Sequence, residues 1–586
     1  MVSAKSSIPV AFSLLTCLLL AGISSSASAL EFDYGEVFGS LDTTVSYGQN
    51  YRVQSRDRDL IGIANGGNAF SVNGDDGDLN YDTGLISSTL KFTTELELNY
   101  RNFGAFIRGT GFRDFLNDDS RHTERTPLDK EAIELVGEDL KLLDAYVWAG
   151  FDIGSMPVDI RVGEQVISWG ESTFIQNSIN TINPVDVSKL RVPGAELKEA
   201  LVPVGIVSIA AGLTDTISAE AFYQYDYERV LIDPPGSYFS TNDFVGNYGQ
   251  CAVLGFGLAP DRPLIGIGDN ITTPCDLGLS FGAPRSSDDR PEEGGQYGAA
   301  LRWYSEALND TEFGFYYINY HSRLPVINAF QATTPLDAST ASYQIGYPED
   351  IQLFGVSFNT QLGTTGWALQ GEYSFRNDVP LQIDDVELLF AALGAPFNQL
   401  GLTWAPGGSL IKGYIERDVS QVQMTATKIF GPTFKADQAV FLTEFAVTHV
   451  HDMPDKDTLR LEAPGTGLPG PFAGFGTRTA PAIQPNDDFA DATSWGYRVV
   501  GRLDYNNVIG AINVSPRFSW RHDVHGISPG PGGNFIEGNK AVTLGVAASY
   551  LNEWVADFSY TNFFGAGSQN LLNDRDFLAF SLSYSF

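Results

Sequence analysis

The sequence predicts an all-β protein. It reads as a single transmembrane antiparallel β-barrel of about 18 strands (16–18), with long extracellular loops and one loop folded into the lumen. Three observations predict this. Segments of about ten residues alternate apolar and polar side chains, as strands between lipid and lumen do. The connections between them are short and long in strict turn. The N-terminus reads as an export signal, and no later apolar run reaches the ~20 residues that a spanning helix needs.

At the N-terminus, Lys5 precedes the apolar stretch IPVAFSLLTCLLLAGI and the Ser-rich SSSASA, which ends on Ala27-Ser28-Ala29. A basic start, a short apolar core and small residues before the cut make a cleaved secretory signal. Residues 1–29 are therefore set aside, and 30–586 carry the fold. The chain has 61 Gly, 25 Tyr, 39 Phe and a formal charge of −35. Such an acidic, Gly- and aromatic-rich exported chain fits β-structure in the bacterial outer membrane, surrounded by outer-membrane lipid and lipopolysaccharide. No nucleic-acid partner is expected of it.

The strands follow in order. In 90–100, Leu90, Phe92, Leu96, Leu98 and Tyr100 oppose Lys91, Thr93, Glu95, Glu97 and Asn99. In 217–228, Ile217, Ala219, Ala221, Tyr223, Tyr225 and Tyr227 oppose Glu220, Gln224, Asp226 and Glu228. The same alternation recurs at 367–376, 495–505 and 542–550. It ends in FLAFSLSYSF, where Leu578, Phe580, Leu582, Tyr584 and Phe586 share one face and small residues the other. A soluble sandwich also alternates, so the connections decide. Short ones fall at 99–104, 152–159, 212–216, 305–311, 362–366, 431–437, 505–510 and 551–553. Between them lie long Gly/Pro-rich or acidic stretches, the longest at 231–293. Eight short turns give sixteen strands, and one more at each end (about 36–49 and 576–586) gives eighteen. An even count leaves both termini on the periplasmic side. Trp148, Trp303, Trp367, Trp495, Trp520 and Trp554 sit near strand ends, where interfacial girdles place aromatic rings; packing of some of them inside the barrel is the alternative.

Cys251 and Cys275 both lie in the 231–293 loop. An oxidising compartment permits them to pair, and closing roughly 25 residues stabilises by about 3 kcal/mol in the chain-entropy model. Two unpaired thiols are the alternative.

The acidic run DGDLNYD, Asp76–Asp82, has the look of a calcium loop. Tyr81 stands where such a loop needs Gly, and no bidentate Glu follows at the required spacing. No metal or cofactor is expected from it. Catalysis is not expected either. The six histidines (His122, His321, His449, His451, His522, His525) fall in loops or at strand ends, and no nucleophile elbow or paired-carboxylate motif appears in a suitable context.

The polar strand faces carry Glu95, Glu97, Arg108, Arg161, Glu220, Asp226, Arg302, Glu372, Arg376, Arg498, Arg502 and Arg517, all expected to line the lumen. Acids concentrate in the first half and arginines toward the C-terminal half. Two uses of these charges are open: a transverse field that orients polar solutes, or ion pairs that fill the interior.

The stretch WGESTFIQNSINTINPVDVSKLRVPG, Trp169–Gly194, breaks the alternation. It mixes Phe174, Ile175, Ile179 and Ile182 with recurrent asparagines and is less acidic than the other long loops. Apolar and amide side chains together suit a segment whose backbone finds partners on a lumen wall. Residues 170–198 are therefore expected to fold inward as a constriction, with Trp169, Phe174, Asn177, Asn180, Asn183, Asp186 and Arg191 contacting or selecting the substrate. A compact external loop is the alternative.

The patterns RVGEQVISWGES, NTINPVD, PGAELKEALVPVG, AEAFYQYDYERV and PPGSYFSTND, within Arg161–Asp243, resemble the outer-membrane proteins of domain-of-unknown-function family 1302. The resemblance runs through nearly all of the mature chain. It implies a barrel that accompanies a LolB-like periplasmic protein and an RND-type exporter, and hence movement of lipids or hydrophobic molecules across the envelope. It implies no catalytic residues. The expected function is thus transport of a hydrophobic or lipid-like substrate with periplasmic partners. A general porin for small polar solutes and a structural or adhesion barrel are the alternatives.

Overall fold

The computed structural model describes residues 30–586 apart from 120–122, 263–271, 396, 403–407, 472–482 and 552. Residues 1–29, where an export signal is expected, and His122 lie outside the described residues. The wall is built from eighteen strands in chain order. They are β1 Val37–Arg52, β2 Gly84–Tyr100, β3 Phe103–Asp114, β4 Glu138–Ile153, β5 Met156–Gln165 and β6 Val204–Gly212. Then come β7 Ile217–Gln224, β8 Gln296–Ser305, β9 Thr311–Tyr320, β10 Ile351–Gln361, β11 Trp367–Gln382 and β12 Tyr414–Phe430. The last six are β13 Gln438–Val450, β14 Thr493–Ile509, β15 Ile512–His525, β16 Lys540–Tyr550, β17 Trp554–Phe564 and β18 Phe577–Ser585.

Each strand pairs antiparallel with the next, and β18 returns to β1 from Thr44↔Ser585 to Arg52↔Phe577. Closure removes both sheet edges, so every ladder N–H and C=O finds a partner without water, as a membrane demands. A short strand, Leu30–Tyr34, pairs with the first residues of β1 (Leu30↔Leu41 to Tyr34↔Val37) and continues the line of β18. The strand count and all eight short turns expected from the alternation are present.

The two faces follow the period of two. Val147, Val207, Ile209, Tyr223, Leu301, Phe315, Phe354, Val422, Leu544 and Phe558 are exposed large apolar side chains on the outer face. A continuous apolar exterior of this kind belongs in lipid. Trp303 and Trp554 are exposed there, Trp303 stacked on Phe313 and Trp554 beside Tyr584. Trp148 is the exception to the expected girdle. Its neighbour Val147 points outward, so Trp148 points into the barrel, opposite Gly104. A Cβ at Gly104 would lie 2.2 Å from the indole, so only glycine admits the ring.

Two sequence expectations change at strand ends. The alternation read as far as Glu228 stops as a strand at Gln224, where β7 ends. Asp226 therefore sits in the loop above the wall rather than on it, and the next N–H, that of Tyr227, donates to Glu293 at 2.9 Å. The connection expected at 170–198 is longer, running from Gln165 of β5 to Val204 of β6.

The long loops pack on one another. Cys251 and Cys275 are disulfide-bonded, and Cys251–Val253 pairs with Gly282–Pro284 beside the bridge. A small sheet, Ser342–Gly346, Val326–Phe330 and Leu410–Ile411, carries the helix Asp385–Ala392 on one side. The closing seam is tied by a buried ion network. Asp78 accepts from Arg52 at 2.7 Å and from Arg575 at 2.6 Å, and Asp574 accepts from Arg52 at 2.9 Å. All four side chains are nearly inaccessible, so the acidic run that has the look of a calcium loop is here neutralised by arginines.

Candidate functional site

The site is built by the loop between β5 and β6, which enters the barrel and crosses it. Its neck is fastened by Asn183. That side chain accepts from Ile167 N–H at 2.8 Å and donates to the carbonyls of Gln165 at 3.1 Å and Val202 at 3.0 Å. One amide thus joins both ends of the loop, which explains an asparagine where the chain turns at Pro184.

Beyond the neck the segment packs on the inner wall. Trp169 is 1% exposed, with its ring 5.1 Å from Phe222 of β7 and 5.9 Å from Tyr316 of β9. Its indole N–H donates to Glu220 at 3.0 Å, so the polar edge is satisfied as well as the apolar face. Ile179 and Ile182 complete this core with Ile206, Ile318 and Leu353 of the wall.

The tip reaches the far side. Glu444 of β13, eight strands round from β5, is fully buried. It accepts three successive backbone N–H groups, those of Thr173 (2.8 Å), Phe174 (2.7 Å) and Ile175 (2.8 Å). Glu372 of β11 accepts from the N–H of Glu171 and from Ile179 N–H at 3.2 Å. Asn177, at φ 64°, donates to the Gly532 carbonyl at 2.8 Å in the β15–β16 loop. Hydrogen bonds to a carboxylate are charge-assisted, at about 1.5–3 kcal/mol each, so these two acids hold the tip.

The return arm crosses to the opposite wall. Asp186 is buried and caps the helical turn Val187–Arg191 through Ser188 N–H at 3.1 Å. Arg191 lies 4.5 Å over the Phe239 ring and 3.6 Å from Asp233, and its carbonyl accepts from Asn50 of β1 at 3.0 Å. Pro193 fills the space left by Gly48 of β1, where a Cβ would lie 2.5 Å from the ring. Glu199 bonds Lys91 and Thr93 of β2, and Lys198 pairs with Glu95 at 2.7 Å. Contacts from β13 to β1 and β2 make the loop a span across the interior. Within it only Thr173, Phe174, Gln176 and Asn180 of the 171–180 stretch remain exposed, Phe174 by 45%. Among the described residues the Asn180 side chain makes one hydrogen bond, to Ser168 at 3.3 Å.

Of the seven residues expected here, Trp169, Asn177, Asn183, Asp186 and Arg191 are therefore anchors of the loop. Phe174 and Asn180 face open space. Glu444 was missed. Its signal was a lone acid on the inward register of FLTEFAVTHV, between Leu442 and Ala446.

The wall charges pair locally. Arg108 bonds Glu95 at 3.0 Å and Asp144 at 2.7 Å. Arg302 bonds Glu220 at 3.0 Å, Arg498 bonds Asp523 at 2.9 Å, and Arg502 bonds Asp504 at 3.0 Å. Arg517 and Asp557 make a two-pronged pair. Glu97 accepts from Asn99 at 2.9 Å, and Arg161 lies 5.8 Å from the Tyr146 ring. Arg376 is 7% exposed. Acids and arginines meet on the same or adjacent strands, or in the case of Arg517 and Asp557 across Gly545 of the strand between them, so of the two readings left open by the sequence, local ion pairing describes most of these charges.

Outside the inward loop the long loops enclose a cavity of about 600 Å³. Gly532, which holds Asn177, lines it together with Asp59, Asn242, Asp385, Glu462 and Arg575. A side pocket of about 110 Å³ shares Phe70, Phe244 and Asp385 with this cavity. Val253, Phe256, Ile327 and Leu388 help to make its wall apolar.

Several solved structures are similar to this chain in outline. The crystal structure of OccAB3 from Acinetobacter baumannii aligns at 9% identity over 94% of this chain and 99% of that one, with a TM-score of 0.42. OccAB4 from the same organism aligns at 11% over 94% and 98%, with a TM-score of 0.40. A BenF-like porin from Pseudomonas fluorescens Pf-5 aligns at 11% over 94% and 98%, with a TM-score of 0.39. No curated protein matches the sequence. Residues 10–586 match the family model described as "Protein of unknown function (DUF1302)", and the chain belongs to that family.

Proposed function

We propose that this protein is an outer-membrane transport barrel for a hydrophobic or lipid-like solute, with the inward loop as its constriction. One observation carries the reading: an apolar side pocket shares its lining with the outer cavity, and Gly532 of that cavity's wall holds the tip of a loop anchored on both walls. A solute held by apolar contact in the pocket would be concentrated at the mouth. It would then meet Phe174 and Asn180, two of the side chains the loop leaves exposed. A span from β13 to β1 narrows the lumen, which favours a selective channel over a general porin. The family resemblance supports adding periplasmic partners, a LolB-like protein and an RND-type exporter.

The test is uptake into proteoliposomes of a long-chain hydrophobic probe and a small sugar, with the wild type and Ala392→Trp, which fills the side pocket. The expected result is hydrophobic-probe uptake that falls at least severalfold in the variant, with sugar flux unchanged and low. High sugar flux without hydrophobic uptake would make the protein a general porin. Co-purification after in vivo crosslinking tests the partners.

A further inference from the structure

Two acidic clusters occupy the long loops, and they differ in what balances their charge. Asp75, Asp76 and Asp261 lie together, but Arg125 bonds Asp76 at 2.7 Å and Asp261 at 2.6 Å, and Arg262 stands 3.3 Å from Asp76. Arginines fill that cluster. Asp384, Asp385 and Glu462 form the second, each offering an oxygen within 4.8 Å of the others. The nearby cation is Arg460, and its guanidinium bonds a fourth carboxylate, Glu387, at 2.6 Å. Among the described residues the group therefore carries more negative charge than its surroundings return.

The backbone presents these oxygens on purposeful geometry. Ile383 and Leu461 form an antiparallel bridge, and Asp384 N–H donates to the Arg460 carbonyl at 3.1 Å. Asp385 N–H donates to Glu462 Oε2 at 2.8 Å. Asp384 caps the helix Asp385–Ala392 with Oδ2 alone, which accepts from Glu387 N–H at 3.2 Å. Capping leaves Oδ1 over. Asp384 is 0% exposed, yet its Oδ1 meets no donor among the described residues, and neither does Asp385 Oδ1. A buried carboxylate oxygen without a donor costs about 1–3 kcal/mol or more, so such an atom marks a missing partner.

We propose that Asp384, Asp385 and Glu462 bind a calcium ion that clamps the 383–413 loop to the 451–492 loop. All-oxygen carboxylate ligands select a hard cation, and calcium takes 6–8 oxygens with tolerant geometry. Asp385 and Glu462 line the 600 Å³ cavity, from which water completes the shell. Asp385 also borders the apolar pocket, whose wall includes Val386, Leu388 and Ala392 of the helix that Asp384 caps. The ion would fix the helix and hence the pocket. This inference rests on the carboxylates and their surroundings, and holds whether or not the pocket takes a hydrophobic solute.

The experiment is calorimetric titration of calcium chloride into the full-length barrel, refolded free of lipopolysaccharide and stripped with chelator. Binding of one ion is expected, with a dissociation constant on the order of 10⁻⁴–10⁻³ M as in extracellular sites. Asp385→Asn with Glu462→Gln should abolish it or weaken it at least tenfold, whereas Asp76→Asn with Asp261→Asn should leave it intact. No binding by the wild type, or binding unchanged in the first double variant, overturns the proposal. If that variant does not insert, proteolysis of the wild type decides. Calcium should protect 383–413 severalfold over chelator, and equal cleavage rates would refute the clamp.

Discussion

Glu444 offers the sharpest test of how the inward loop is held. Glu444→Ala removes both acceptor oxygens from three consecutive N–H groups, those of Thr173, Phe174 and Ile175. An unsatisfied buried donor costs about 1–3 kcal/mol. Thr173 and Phe174 are partly exposed, so water can reach them, and the lower end applies, about 3 kcal/mol in total. At 1.4 kcal/mol per decade, the balance between a docked and a released tip moves about 100-fold toward release. The barrel itself should stay closed, because its ladders do not depend on this side chain. The assay is single-channel recording in planar bilayers, with heat-modifiable migration on gels as the control for folding. Glu444→Ala should show a raised mean conductance and frequent flicker between levels. Glu444→Gln, which keeps one acceptor oxygen, should be intermediate. A correctly folded Glu444→Ala barrel with wild-type conductance and noise would refute the claim that this carboxylate docks the tip.

Other predictions follow from the same contacts. Asp78→Asn leaves Arg52 and Arg575 buried without their shared carboxylate, and breaking a buried pair costs about 3–5 kcal/mol. The temperature of the gel-mobility shift should fall clearly below that of the wild type, and an unchanged one would show that the seam does not limit stability. Asn183→Ala removes the amide that joins Gln165, Ile167 and Val202, so modification of a reporter cysteine at Asn180 should accelerate at least tenfold. Reducing Cys251–Cys275 removes about 3 kcal/mol of chain constraint. Protease should then cut within 251–285 faster while the barrel band persists, and equal cutting rates would mean that packing alone holds that loop.

The strand number, the alternation of short and long connections and the odd character of Trp169–Gly194 were legible because each is a local pattern. A strand writes its two faces into every second residue, and a tight turn into a few. What was not legible is non-local. Nothing in FLTEFAVTHV says which of nine loops will present its N–H groups to Glu444, some 270 residues from its partners in the chain. The charges left two readings open for the same reason. Counted along the chain, acids and arginines separate into halves, but pairing is set by register, which puts Arg302 beside Glu220 and Arg108 beside Glu95. Closeness to a strand end does not separate girdle from interior for Trp148; its parity beside outward Val147 does, and points it inward. The apolar pocket is assembled from several separate loops and has no signature in any one of them.

The loop crossing the barrel governs what passes, and Phe174 is the exposed apolar side chain at its tip. The direct measurement is the current through Phe174→Cys channels before and after a charged methanethiosulfonate reagent is added. The account predicts rapid modification and a large stepwise loss of conductance, reversed by reductant. Full modification, verified by mass, with no change in current would contradict it.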